Sequence, residues 1–161
     1  MPIFIFDTRG GLCNQFYDIN CGINFCLLHN FKFTFRYCLF RNADLISWYE
    51  RNFDDLFDTK MFEKYDNYIK FETLELTDEN TYNLHDIREC RTFLTNNYLE
   101  ELLKIDKPYI VLKQIHGVYK FHKIIENVNP HILPSKKLLN LYESPFTNGM
   151  SIFTLLLVNT L

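Results

Sequence analysis

The chain opens on Ile3-Phe4-Ile5-Phe6-Asp7-Thr8-Arg9-Gly10-Gly11, and this stretch decides the fold class. Its apolar part is short and continuous, which is typical of a strand buried on both faces of a parallel sheet. The polar residues that follow end in two glycines, the pattern of a tight turn. We therefore predict a buried first strand with a glycine turn at its carboxyl end.

The residues after the turn continue the pattern of an α/β unit. Apolar side chains recur every three or four positions between Phe16 and Leu27, which predicts an amphipathic helix from Asn14 to about His29, with Asn14 as its N-cap. Aromatic rings then alternate with polar residues, which predicts a second strand with four rings on one face. The rings are those of Phe31, Phe33, Phe35 and Tyr37.

The remainder of the chain alternates helix-like and strand-like segments. We predict helices over residues 43–50, 54–65, 90–105 and 136–142, strands over 68–76 and 109–112, and a polar surface loop over 77–86. This alternation predicts an α/β protein with a Rossmann-like, open, mostly parallel sheet and helices on both faces. In such sheets ligands bind outside the carboxyl ends of the strands, where the glycine turn lies.

Composition excludes several classes of function. With 17 Lys and Arg against 20 Asp and Glu, the net charge is −3, so we expect no nucleic-acid partner held by general electrostatics. No run reaches the roughly 18 apolar residues of a membrane span. The five cysteines form no CxxC pair, which disfavours a disulfide framework and a zinc ribbon. Since no signal peptide pattern is present, we expect a cytoplasmic protein.

The turn itself carries the chemistry that can be read from the sequence. Gly10 and Gly11 lack a Cβ atom, so backbone N–H groups can approach an anion closely, and the following helix adds the positive end of its dipole. Arg9 can form a forked contact with phosphate, while Asn14 and Gln15 supply neutral donors and acceptors. The spacing matches neither the P-loop nor the dinucleotide GxGxxG motif. We predict a diphosphate cradle formed by these five residues.

Arg9-Gly10-Gly11-Leu12-Cys13-Asn14-Gln15-Phe16, placed after a buried strand, resembles the amino-terminal signature of the GT-B fucosyltransferase superfamily. The relatives in question are the protein O-fucosyltransferase-like and α-1,2-fucosyltransferase-like proteins. Residues 33–58 also resemble the segment that follows in O-fucosyltransferase-like proteins. The resemblance implies two Rossmann-like halves and inverting transfer of fucose from GDP-fucose to a hydroxyl of a glycan or protein acceptor. It also implies no cofactor and no catalytic metal.

The resemblance covers roughly residues 3–142, which correspond to the first half of such an enzyme. We expect residues 1–143 to form this domain and the apolar segment 144–161 to fall outside the family pattern. Arg9, Gly10, Gly11, Asn14 and Gln15 would line the donor cleft. The family's His-x-Arg motif, which belongs to its second half, is absent. We therefore expect a truncated or split enzyme, with activity dependent on a separately encoded second half.

Other interpretations of the sequence remain open. The chain could be a non-catalytic α/β binding or interaction module, or a remnant, and the glycine turn could be a tight connection without a ligand. Asp7 lies where catalytic carboxylates often lie, but it is also a common turn former. Cys13 lacks an assignable base, and His116, His122 and His131 lack metal-ligand spacing. We expect no metal site and leave the catalytic residues unassigned.

Overall fold

The computed structural model describes residues 1–41, 47–84, 102–113 and 135, with backbone only for residues 12, 13 and 41. The described elements are, in chain order, β1 (Ile3–Arg9), α1 (Leu12–Leu28), β2 (Lys32–Arg41), β3 (Trp48–Asn52), α2 (Phe53–Leu56), β4 (Thr81–Leu84) and β5 (Tyr109–Lys113). Short 3-10 helices span Thr59–Phe62 and Phe71–Thr73. The boundary proposed at residue 143 lies outside the described residues.

The strands form one five-stranded sheet in the order β3-β2-β1-β5-β4. Strands β2, β1, β5 and β4 are parallel, and β3 joins β2 in antiparallel fashion at one edge. The predicted α/β class with a mostly parallel sheet is therefore confirmed. Because β2 lies on one side of β1 while β5 and β4 lie on the other, the strand order reverses beside β1. That reversal is the position at which open α/β sheets bind ligands.

Aromatic side chains build the core between the sheet and α1. Phe4 and Phe6 of β1 are in register with Phe33 and Phe35 of β2, and all four are buried. Phe4 meets Phe25 of α1 edge-to-face, with ring centroids 5.2 Å apart. These contacts remove large apolar surfaces from water, which is the main driving force for docking the helix on the sheet.

Helix α1 approaches β1 closely at Gly22. A Cβ atom at this position would lie 3.0 Å from the ring of Phe6, nearer than side chains normally approach. The predicted helix is present and covers one face of the sheet, but it begins at Leu12 with Gly11 as N-cap. Asn14 is therefore the third residue of the helix, and the prediction that it caps the helix is wrong.

The face of the sheet opposite α1 is also buried. Ile5 of β1, Thr34 of β2 and Val111 of β5 share this face, and each is fully inaccessible to solvent. The helices predicted over 90–105 and 136–142 lie outside the described residues, apart from a helical turn at Leu102 and Leu103. The sheet is therefore buried on both sides, as expected for parallel strands.

An irregularity in β2 moves one predicted core ring out of the core. Phe6 pairs with Phe35, whereas Thr8 pairs with Cys38, so β2 carries one extra residue between these pairs. Such a bulge reverses the facing of the residues beyond it. Cys38 is consequently buried in the core, and Tyr37 is only half-buried. The prediction of four rings on one face is wrong for Tyr37.

The middle of the chain departs furthest from the sequence predictions. Residues 48–52 are strand β3 rather than part of a helix, and the helix predicted over 54–65 is reduced to α2 and the Thr59–Phe62 turn. The predicted strand over 68–76 is reduced to an isolated bridge between Tyr68 and Phe33, followed by the Phe71–Thr73 turn. Conversely, strand β4 lies within the polar stretch predicted to be a loop. The predicted strand near the end is confirmed as β5.

Candidate functional site

Gly10 has a structural reason to be glycine. Its φ angle is +105°, a backbone conformation that side chains disfavour, and a Cβ atom there would lie 3.0 Å from Nδ2 of Asn14. Its N–H donates to the carbonyl oxygen of Leu39 at 2.9 Å, which ties the turn to the end of β2. Gly10 thus joins β1 to α1 and fixes where the helix begins.

Gly11 has no comparable structural reason. Its φ of −68° and ψ of 166° are accessible to any residue, and no atom of the described chain lies within 4 Å of a Cβ built there. It is exposed and serves as the N-cap of α1 without any side-chain hydrogen bond. Ser, Asp or Asn is preferred at an N-cap because the side chain satisfies an N–H group of the first turn. Glycine leaves these donors open to solvent or to a ligand.

Gln15 lies beneath the turn rather than at its surface. Its side chain is fully buried, with Oε1 accepting from Oγ1 of Thr8 at 3.0 Å and Nε2 donating to the carbonyl oxygen of Gly10 at 3.1 Å. These bonds connect the end of β1, the turn and the first turn of α1. Asn14, in contrast, is exposed on the helix beside the glycines. Of the two amides, Asn14 is the one that a ligand can reach.

Contacts with Asp18 and Trp48 help to hold Arg9 in place. Its backbone N–H donates to Oδ2 of the buried Asp18 at 2.8 Å, which ties it to α1. Its guanidinium carbon lies 3.9 Å from the centre of the Trp48 ring, a close cation–π contact with strand β3. These contacts fix the position of Arg9 beside the turn.

Sequence reasoning did not identify Trp48 as part of this group. Residues 43–50 have the spacing of a helix, and nothing in that spacing places Trp48 beside β1. The contact arises only because β3 folds back antiparallel to β2, with Trp48 in register with Arg41 at the carboxyl end of β2. An aromatic residue within residues 43–50 is the only signal that the sequence offers for this contact.

Asp7 forms an ion pair that occupies both of its oxygens. Arg36 donates through Nε to Oδ1 at 3.0 Å and through a terminal nitrogen to Oδ2 at 2.6 Å. Burial lowers the pKa of Arg36, but the hydrogen bond and the charge of Asp7 outweigh this effect and the net pKa is raised. Since the Asp7 side chain is fully buried and doubly bound, its position suits holding β1 against β2 rather than accepting a proton from a substrate.

The described cysteines have the character of packing residues. Cys21, Cys26 and Cys38 are buried free thiols. Burial, with a smaller contribution from Asp18, raises the pKa of Cys21 to about 12. Burial likewise raises the pKa of Cys38 to about 12, although a hydrogen bond with Thr8 opposes the shift. These thiols are protonated at neutral pH and are poor nucleophiles.

Several candidates from the sequence lie beyond what the structure describes. They are the side chain of Cys13 and residues His116, His122 and His131. Among the residues the structure does describe, no group of three His, Cys, Asp or Glu side chains could hold a metal ion. Within the same residues, no helix combines the length and apolar character needed to cross a membrane.

The turn therefore brings together an exposed glycine at a helix N-terminus, an exposed amide and an oriented guanidinium. It lies at the carboxyl end of β1, where the strand order reverses. In comparisons with known proteins, no family model, no curated protein and no solved structure matches the chain.

Proposed function

We propose that this chain is the first half of a fucosyltransferase of the GT-B type, and that its glycine turn binds the diphosphate of GDP-fucose. The observation that carries the proposal is Gly11. It occupies a helix N-cap where a capping side chain would be more favourable, and no atom of the described residues lies within 4 Å of a Cβ built there. A diphosphate oxygen in that space would accept hydrogen bonds from N–H groups of the first turn.

Arg9 and Asn14 would then complete the donor site. Trp48 restricts the Arg9 guanidinium, so less side-chain entropy is lost when a phosphate binds. Transfer of fucose leaves negative charge on the departing GDP, which the Arg9 charge and the α1 N-terminus would stabilise. Gly10 and Gln15 would support this geometry without contacting the donor. The resemblance assigns the nucleotide contacts to a second half and the reaction to metal-independent chemistry.

The proposal is tested by titrating the chain with GDP, GDP-fucose and free fucose while following backbone amide signals. Both diphosphates should shift the signals of Gly10, Gly11 and Asn14, and free fucose should not. Arg9→Met should weaken GDP binding about tenfold, as expected for loss of one charged hydrogen bond. Arg51→Met is the matched control, because Arg51 also lies over a β3 ring, that of Tyr49, at 5.9 Å.

The outcomes separate the possible functions. Unchanged turn signals with both diphosphates in excess would overturn the assignment of the donor site. Binding without fucose transfer, even after the second half is supplied, would favour the alternative of a non-catalytic binding module. Transfer to a hydroxyl acceptor by the two halves together would establish the enzyme.

A further inference from the structure

A second cleft, of about 470 Å³, opens at the outer edge of β2. It is bordered by the end of β3, by α2 and by the Phe71–Thr73 turn. The buried rings of Phe35 and Phe53 stack at 4.8 Å against each other and form its apolar part. The half-buried rings of Tyr68 and Phe71 also line it. Since Phe35 and Phe53 are almost inaccessible to solvent, the aromatic surface that the cleft offers a ligand comes mainly from Tyr68 and Phe71.

The cleft coincides with an interruption in the pairing of β2. Phe33 donates its N–H to Asn67 and accepts from the N–H of Ile69, each at 2.9 Å, so its backbone groups face the outer edge. Pairing with β3 begins only at Tyr37, opposite Asn52. Along a strand the backbone N–H and C=O groups of successive residues point to alternate edges. Phe35 lies two residues after Phe33, so its backbone groups are expected to face the same outer edge. The main chain of β2 is therefore not paired with β3 beside the cleft.

The polar side chains of the cleft include both donors and acceptors. Arg36, Asn52 and Thr59 can donate, while Asp54 and Glu72 can accept. Arg36 is already neutralised by Asp7, so the two remaining carboxylates make the lining negative overall. Such a lining repels phosphate and other anions.

Tyr68 adds a phenol that keeps its proton. Burial, followed by the charges of Glu72, Glu63 and Asp54, raises the pKa of Tyr68 to about 12, although a hydrogen bond with Thr59 opposes the shift. A ligand facing this lining must therefore be uncharged or cationic, and must satisfy donors as well as acceptors. Hydroxyl groups do both, and the C–H face of a sugar ring packs on aromatic side chains.

We propose that this cleft binds an uncharged sugar residue. The site is separate from the glycine turn, since Arg36 lies three residues before Leu39, the partner of Gly10, which is roughly 10 Å along the strand. Binding of a sugar here does not depend on the donor site. A role for the cleft as the acceptor site of the transferase rests on the proposed function.

The test is a titration of the chain with methyl glycosides of glucose, galactose, mannose and N-acetylglucosamine, followed by amide and aromatic NMR signals. At least one glycoside should shift the signals of Phe35, Phe71 and Glu72. Glu72→Ala should weaken its binding about tenfold, because a carboxylate acceptor is lost. Glu75→Ala is the matched control, since Glu75 is also an exposed acid and lies outside the lining.

Spermine and inorganic phosphate are titrated in parallel as charged probes. The proposal is overturned if none of the glycosides shifts the cleft signals, if Glu72→Ala and Glu75→Ala behave alike, or if spermine binds the cleft more tightly than every glycoside. Glycoside binding at the cleft without a GDP response at Gly11 would overturn the proposed donor site while leaving this site intact. A GDP response at Gly11 without glycoside binding at the cleft would overturn the sugar site while leaving the proposed donor site intact.

Discussion

Replacing Gly11 with Asp should stabilise the fold while strongly weakening diphosphate binding. The backbone of Gly11 suits Asp, and no described atom obstructs the new side chain. Asp is a better N-cap than Gly by a few tenths of a kcal/mol, and its charge near the helix N-terminus contributes about 0.3–1 kcal/mol more. For a chain of this size, the melting temperature should rise by about 1–5 °C.

The effect on binding should be opposite and larger. A carboxylate about 5 Å from a phosphate, at an effective dielectric constant of about 20, is repelled by about 3 kcal/mol. That energy corresponds to a loss of affinity on the order of 100-fold. In addition, the side chain would occupy an N–H group of α1 that the phosphate needs.

The assay measures thermal unfolding and GDP binding of the unsubstituted chain and of Gly11→Asp. Gly11→Ser is the control that adds a cap without a charge, and it should raise the melting temperature slightly while weakening GDP binding less than Asp does. A lower melting temperature for Gly11→Asp would refute the reasoning about the cap. Unchanged GDP affinity in a folded Gly11→Asp variant would refute the location of the anion site.

Two further predictions concern groups inside the sheet. Asp7→Ala leaves the Arg36 guanidinium without its carboxylate and should lower the free energy of unfolding, measured in urea, by about 3 kcal/mol. Asp7→Leu combined with Arg36→Met removes both charges and should lower the free energy of unfolding less. Equal losses in the two variants would show that the two charges are not coupled. The raised thiol pKa values of Cys21 and Cys38, about 12 against 9.0, mean that the unfolded chain releases these protons first, so stability should fall as pH rises from about 9 towards 12. Urea midpoints that stay constant over that range, or that change identically in Cys38→Ala, would contradict this assignment.

The unit from β1 to β2 could be predicted because its signals are local. A continuous apolar run, two glycines and a three-to-four spacing each depend only on neighbouring residues, and the structure contains the strand, turn and helix in that order. The bulge near Tyr37 could not be predicted in the same way. It reflects the register between β1 and β2, which the alternation within β2 does not encode.

The edge strands escaped prediction for a related reason. Four of the five residues of β3 are exposed, so no alternation of apolar and polar residues marks the strand. It pairs with β2 through backbone hydrogen bonds, which depend little on the identity of the side chains. In β4 only Thr81 and Leu84 are buried, and the strand depends on β5, which lies 25 residues further along the chain. Both strands are products of tertiary pairing rather than of local propensity.

The candidate site shows the same division between local and distant information. The sequence singles out Gly10 and Gly11 together, but only the structure separates their roles. Gly10 is required by its positive φ and by Asn14, whereas neither its own conformation nor any neighbour in the described part of the chain requires glycine at position 11. The proposed diphosphate site rests on this glycine at the helix N-terminus, beside the oriented Arg9. Substitution at Gly11 therefore probes function without the loss of folding that substitution at Gly10 would bring.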